Sequence, residues 1–211
     1  MTDRPIIFSA PMVRALLARR KTQTRRLATS PLRRVEVGDR LYVRESFATV
    51  NSECGPGWAY KSDGNFIQPD YDGDDFGAGP SFNYDKYPGS YTMWFADLMA
   101  SAPGHPWTPS IHMPRWASRL TLIVEGVKVE PLQVISEADA EAEGVVWDSA
   151  DGFDVWYVPG ANVPHTATAA ECFNGLWSSL HTSEGERWQD NPDVVALTFR
   201  VVRGNIDRPP P

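Results

Sequence analysis

Cysteine is scarce in this chain: 211 residues hold two, Cys54 and Cys172, and they are not in CxxC spacing. Two thiols so placed form neither a disulfide framework nor a thiolate metal knot, so both read as reduced thiols or core packing. The four histidines, His105, His112, His165 and His181, are widely spread, and none has ligand spacing with a cysteine or a second histidine. That removes the zinc-deaminase pattern. Walker loops, GxGxxG, GxSxG and HExxH are all missing, so no cofactor is called for by a motif. Asp70, Asp72, Asp74 and Asp75 lie in DYDGDD, but no acid closes a twelve-residue calcium loop, and a solvated acidic turn with no metal is expected. No apolar run approaches the roughly 18 residues of a membrane helix. MTDRPIIFSAP also lacks the layout of a signal peptide, so the expectation is a cytoplasmic protein with no membrane partner.

Positive charge is scarce as well, except at one end. Residues 1–45 carry eleven Lys or Arg against four acids, whereas residues 46–211 carry nine against twenty-three, within a formal net charge of −7. A local basic surface on an otherwise repelling body points to a polyanion, unless the cations pair internally with the later acids. The densest stretch is RRKTQTRR at 19–26.

What is present reads as one domain over 1–211 with an elaboration. Ser9 as a cap, Pro11 in the first turn and apolar residues at 13, 16 and 17 predict a short helix ending near Arg19. RKTQTRRL then leaves it as a loop or strand, and LYVRESF at 41–47 predicts a strand. From about 51 to 110, fifteen of sixty residues are Gly or Pro and acids outnumber Lys and Arg eight to two. This predicts an insertion of long loops with at most short strands such as WAYK at 58–61. TLIVEGVKVEPL at 121–132 predicts a strand or strand pair. Capping boxes at Ser136–Asp139 and Thr168–Glu171 open two helices, the first stopping at Gly144 and the second burying Phe173, Leu176, Trp177 and Leu180. VVALTFRVV at 194–202 predicts a buried strand, and GNIDRPPP a tail. The sum is an α+β fold around a small barrel.

The order of these motifs resembles the ASCH domain family. RPIIFSAPMVRALLARRKTQTRRL, GDRLYVRE, SIHMPRWASRLTLIVEGVKVEPLQVISEADAEAEG, FNGLWSSLH and VVALTFRVV carry the likeness, which is nearest to the longer ASCH proteins of phages and prophages. The region 51–110 lies outside it. The resemblance implies a PUA-like β-barrel with flanking short helices. It further implies an amidohydrolase that removes the acetyl group from N4-acetylcytidine, with the lysine and threonine of a GRKTxTxR motif at Lys21 and Thr24. The glutamate of the short helix after the central strand falls on Glu143. One departure is Arg19, which stands where the family has glycine. If that position is left-handed, an arginine there costs about 1 kcal/mol.

The chemistry of these residue types is coherent on its own terms. A threonine hydroxyl needs a base to take its proton, and a desolvated lysine flanked by Arg20, Arg25 and Arg26 has the depressed pKa to serve. Glu143 would orient the lysine or carry a proton to the leaving amine. Lys21 and Thr24 face opposite sides of a straight strand, so the reading requires a bend between them. Arg44 and Glu45 are expected to pair at the barrel mouth. Arg115, Trp116 and Arg119 either stack on a base and hold a phosphate or form a packed loop. The rival to catalysis is a module, or a ribonuclease, that binds RNA or DNA in the same basic pocket, Lys21 then being a phosphate contact. The insertion is expected to cover or narrow that pocket.

Overall fold

The computed structural model describes residues 2–52, 55–67, 95–100, 107–150 and 153–207. The chain begins with strand β1 (Asp3–Ile7), helix α1 (Ala10–Leu17), β2 (Gln23–Leu27), a 3₁₀ turn at Pro31–Arg34 and β3 (Arg40–Arg44). The expected strand over 41–47 is broken at Glu45 and Ser46. β4 (Phe47–Ser52) leaves the main sheet and pairs with β5 (Gly55–Tyr60), which pairs with β6 (Phe66–Ile67). α2 (Phe95–Ala100) follows, then β7 (Leu120–Pro131), α3 (Glu137–Ala142), the hairpin β8 (Val146–Ala150) and β9 (Phe153–Tyr157), α4 (Ala169–Leu180) and β10 (Asp193–Arg203). The fold is mixed α+β, as expected.

The main sheet has the order β1-β3-β7-β10-β2, parallel only between β1 and β3. β10 lies inside the sheet, between β7 and β2, and is covered on both faces: Val194, Val195, Ala196 and Leu197 are all buried. One core runs from Ile6, Val13 and Leu16 through Leu122 and Val124 to Phe173, Trp177 and Phe199. The expected barrel does not close through backbone pairing among the described residues. β1 and β2 remain edges, and a side chain joins them instead, Arg26 Nη2 donating to the Ile7 carbonyl at 2.9 Å. Pro5, which lacks an N–H to offer a further strand, suits its place on the edge strand β1.

Only part of the 51–110 region is described. Phe47, Trp58 and Tyr60 pack on Met113 and Ala117, and Ala48, Val50 and Ala59 pack on Leu98. Gly57 is required there, since a Cβ would meet the Phe66 ring at 2.4 Å. The DYDGDD aspartates lie outside the described residues.

Two expectations need correcting. Leu180 is 64 % exposed because α4 outruns the core beneath it, and the buried face is Ala169, Cys172, Phe173, Leu176 and Trp177. The segment after β10 is not a free tail. Ile206 is buried, Asn205 Nδ2 donates to the carbonyls of Arg115, Trp116 and Ser118, and Asp207 pairs with Arg115.

Candidate active site

Two helix ends build the site, and both stop in the same way. In α1 the N–H of Arg20 reaches the carbonyl of Ala15 and that of Arg19 reaches Leu16, a Schellman motif with Arg19 at φ 57°. The left-handed position considered from the sequence is therefore real, and it is held by a non-glycine residue. In α3 the N–H of Val145 reaches Ala140 and that of Gly144 reaches Glu141, with Gly144 at φ 102°. The reciprocal capping box at Ser136 and Asp139 fixes the other end of α3. The amide of Thr22 donates to the Ala142 carbonyl at 2.8 Å, which tucks one helix end against the other. A Cβ on Gly144 would lie 3.3 Å from Ala15 Cβ and 3.6 Å from Lys21 Cβ, so the approach is tight.

This docking puts Lys21 on Glu143. Nζ donates to Glu143 Oε2 at 2.6 Å and to the Glu143 carbonyl at 2.7 Å, and both residues are buried. Arg25 lies beside them, paired with Glu130 at 3.0 Å, Asp139 at 3.1 Å and Glu143 Oε1 at 3.5 Å, and hydrogen-bonded to Gln23. Burial pushes the Lys21 ammonium down from its usual value. Glu143 opposes this, and Arg26 and Arg25 add to it.

Strand alternation separates the rest of RRKTQTRR. Within β2, Gln23 and Arg25 share one face and Thr24 and Arg26 the other. Arg26 Nη1 donates to Thr24 Oγ1 at 2.8 Å, and the Lys21 ammonium and Arg26 guanidinium both sit over the Phe8 ring, at 5.7 and 5.0 Å. The required bend exists, because the Schellman turn carries Lys21 back over the end of α1 before β2 begins at Gln23. Lys21 and Thr24 share no hydrogen bond among the described residues and are linked through Arg26 and Phe8. Thr24 is fully buried. The Arg20 side chain has no hydrogen bond among the described residues, and its Nη1 is shielded from solvent.

The other expected binding residues form separate clusters. Arg44 does not pair with Glu45. Its Nη1 donates to the Ile111 carbonyl and its guanidinium lies 5.5 Å from the Tyr42 ring. Glu45 is buried and takes Arg119 instead, through Nε at 2.8 Å and Nη2 at 3.0 Å. The chain break at Glu45–Ser46 turns this carboxylate away from its neighbour. Arg119 also holds Asp63 and Ser62 and lies 4.0 Å from the Tyr60 ring centre. Burial would lower its pKa, but Glu45 and Asp63 outweigh that and raise it. Burial also raises the Tyr60 phenol. Arg115 is spent on Asp207 and Asp3, and Trp116 meets Trp58 edge to face at 4.9 Å. The packed-loop alternative describes this segment.

Glu130, Asp139, Gln23 and Phe8 are the partners that sequence reasoning missed. Only Asp139 had a local signal, as the capping-box acid. Among the described residues, no three His, Cys, Asp or Glu side chains converge to hold a metal, and no helix is long and apolar enough to cross a membrane. No family model matches the chain, and no curated protein or solved structure is significantly similar to it.

Proposed function

We propose that this chain is a PUA-like amidohydrolase of the ASCH type acting on a modified pyrimidine nucleoside, N4-acetylcytidine being the substrate to test. The observation that carries the reading is the pair of hydrogen bonds from Lys21 Nζ to Glu143. A neutral amine has two N–H groups and one lone pair. Glu143 occupies both N–H groups and so leaves the lone pair facing away from it, ready for a hydroxyl proton. Burial, with Arg26 and Arg25, lowers the Lys21 pKa against the opposing Glu143, which is the direction that favours the neutral form.

Arg26 supplies the second element. Its guanidinium donates to Thr24 Oγ1, leaves the threonine proton free to be given up, and stabilises negative charge that develops on an oxygen there. As Thr24 Oγ, or a water it positions, bonds to the acetyl carbon, Nζ takes the proton. The proton returns to N4 directly or through Glu143 as the C–N4 bond breaks, and one water overall yields acetate and cytidine. Substrate enters when Arg26 swings away from Ile7, because that bond lies at the surface while Thr24 lies beneath it.

Chromatography of N4-acetylcytidine incubated with the protein tests this, beside Lys21→Ala, Thr24→Val and Glu143→Gln. Cytidine should form and should vanish in the variants. No conversion by the folded protein sinks the substrate assignment. Nucleic-acid binding that tolerates Thr24→Val would then favour the binding module.

A further inference from the structure

We infer that the hollow beside the start of β1 is a phosphate-binding subsite, separate from the Lys21 cluster, that takes the backbone of a nucleic-acid strand. It has a volume of about 390 Å³ and is lined by Arg4, Ala28, Thr29, Ser30, Arg33 and Arg34. No acid lines it. Among the described residues, no hydrogen bond or ion pair holds the side chain of Arg4, Arg33 or Arg34, and Arg4 Nε is shielded from water without a partner. The acid that senses Arg4 is Asp39, whose carboxylate already accepts from the amides of Thr2 and Glu36.

The contrast with the other cations of the N-terminal region is direct. Lys21, Arg25 and Arg40 have carboxylate partners and Arg14, Arg26 and Arg44 have carbonyl partners, while Arg19 and Arg20 also lack one among the described residues but do not line the hollow. The internal-pairing explanation of the basic N-terminus therefore fails at this hollow. Three unpaired guanidiniums around a concave, hydroxyl-bearing surface match the tetrahedral oxygens of a phosphate, which guanidinium forks bind bidentately.

Placement suggests a polymer. Arg4 of β1 and Ala28, just past the end of β2, both line the hollow, and Arg26 of β2 is bonded to Ile7 of β1, so the hollow lies where these two edge strands approach each other. From Thr24 to Ala28 is about 13 Å at ~3.3 Å per residue. That is about four phosphate spacings at the 3.4 Å rise of one strand in a duplex. On the proposed function, a strand whose base enters the Thr24 region would lay in the hollow a phosphate about four nucleotides further along.

The test is fluorescence anisotropy with a short labelled single-stranded RNA, measured across salt concentrations for the wild type and Arg4→Gln/Arg33→Gln/Arg34→Gln. Arg200→Gln, which removes a surface arginine paired with Glu125, is compared with Arg33→Gln. Affinity should fall at least about tenfold in the triple variant, and its salt slope should flatten by about two, at ~0.7 per phosphate contact on a single strand. Arg200→Gln should do less than Arg33→Gln. Inorganic phosphate that displaces RNA from the wild type at equal affinity would assign the hollow to a small phosphate ligand. Unchanged binding in the triple variant, salt-independent wild-type binding, or equal effects of Arg33→Gln and Arg200→Gln would overturn the proposal. Turnover of free N4-acetylcytidine should be unchanged in the triple variant, which keeps this result separate from the amide chemistry.

Discussion

Two buried ion-pair networks are built into this molecule, and they differ in the cation they enclose. Around Arg119, Glu45, Asp63 and Ser62 answer a guanidinium that stays charged at every accessible pH, above a Tyr60 ring whose hydroxyl is tied to the Ala117 carbonyl. Around Lys21, the enclosed cation is a titratable amine whose pKa is lowered chiefly by burial and further by Arg26 and Arg25, with Glu143 opposing. The first network fastens the β4–β5 sheet to the loop before β7. The second ties the end of α1 to the end of α3 through Lys21 and Glu143, and on the proposed reading it holds the base. Burial and pairing are common to both networks, so what separates them under the proposed function is that one encloses a lysine, which can titrate, and the other an arginine, which does not.

The comparison breaks most sharply at the lysine. Lys21→Ala should lower kcat on N4-acetylcytidine by about a thousandfold, within the usual worth of a positioned base, while Arg119→Lys should leave it nearly intact; parallel steady-state assays would read this. A pH profile sharpens the same point. Activity should rise with pH through a Lys21 pKa that lies below the ordinary 10.5. Between the two values the unfolded chain binds a proton that the folded chain does not, so stability also rises with pH there. Lys21→Met should flatten that segment of a denaturation-against-pH curve.

Glu45→Ala leaves the Arg119 charge enclosed without its main partner and should cost about 3 kcal/mol in urea unfolding. Lys21→Met together with Glu143→Leu removes both members of the other pair, leaves Arg25 with Glu130 and Asp139, and should change stability by about 1 kcal/mol or less in either direction while abolishing turnover. The smallest effect is expected at the end of α1. Arg19→Gly relieves a left-handed arginine and should raise the unfolding free energy by up to about 1 kcal/mol without touching kcat.

Much of the architecture was legible because it depends on local signals. The cap at Ser136, the stop at Gly144, most of the apolar face of α4 and the long β10 all follow from short patterns, and so does the end of α1 near Arg19, whereas its left-handed turn was raised only by the glycine of the resembled family. The pairing of Lys21 with Glu143 came from the resemblance, and the structure places the two in contact. What could not be read was non-local. Nothing in VRES says that Glu45 abandons Arg44 for Arg119, which lies 74 residues away. Glu130 in VKVEP looks like any solvent-facing strand residue until β2 brings Arg25 over it. The side-chain bridge from Arg26 to Ile7, in place of backbone closure, likewise depends on how far the sheet curls.

The position of β2 in the sheet has a consequence for the order in which the protein can be made. Among the described residues its only strand neighbour is β10, with Thr24 opposite Leu197 and Arg26 opposite Val195. At about 5–20 residues per second, roughly ten to thirty seconds of translation separate these two segments. During that interval RRKTQTRR has no strand to lie against, and five cations wait in solution within reach of any polyanion. Factors that shield this segment on the nascent chain, or a polyanion that captures it, would then influence the yield of folded protein before any substrate is met.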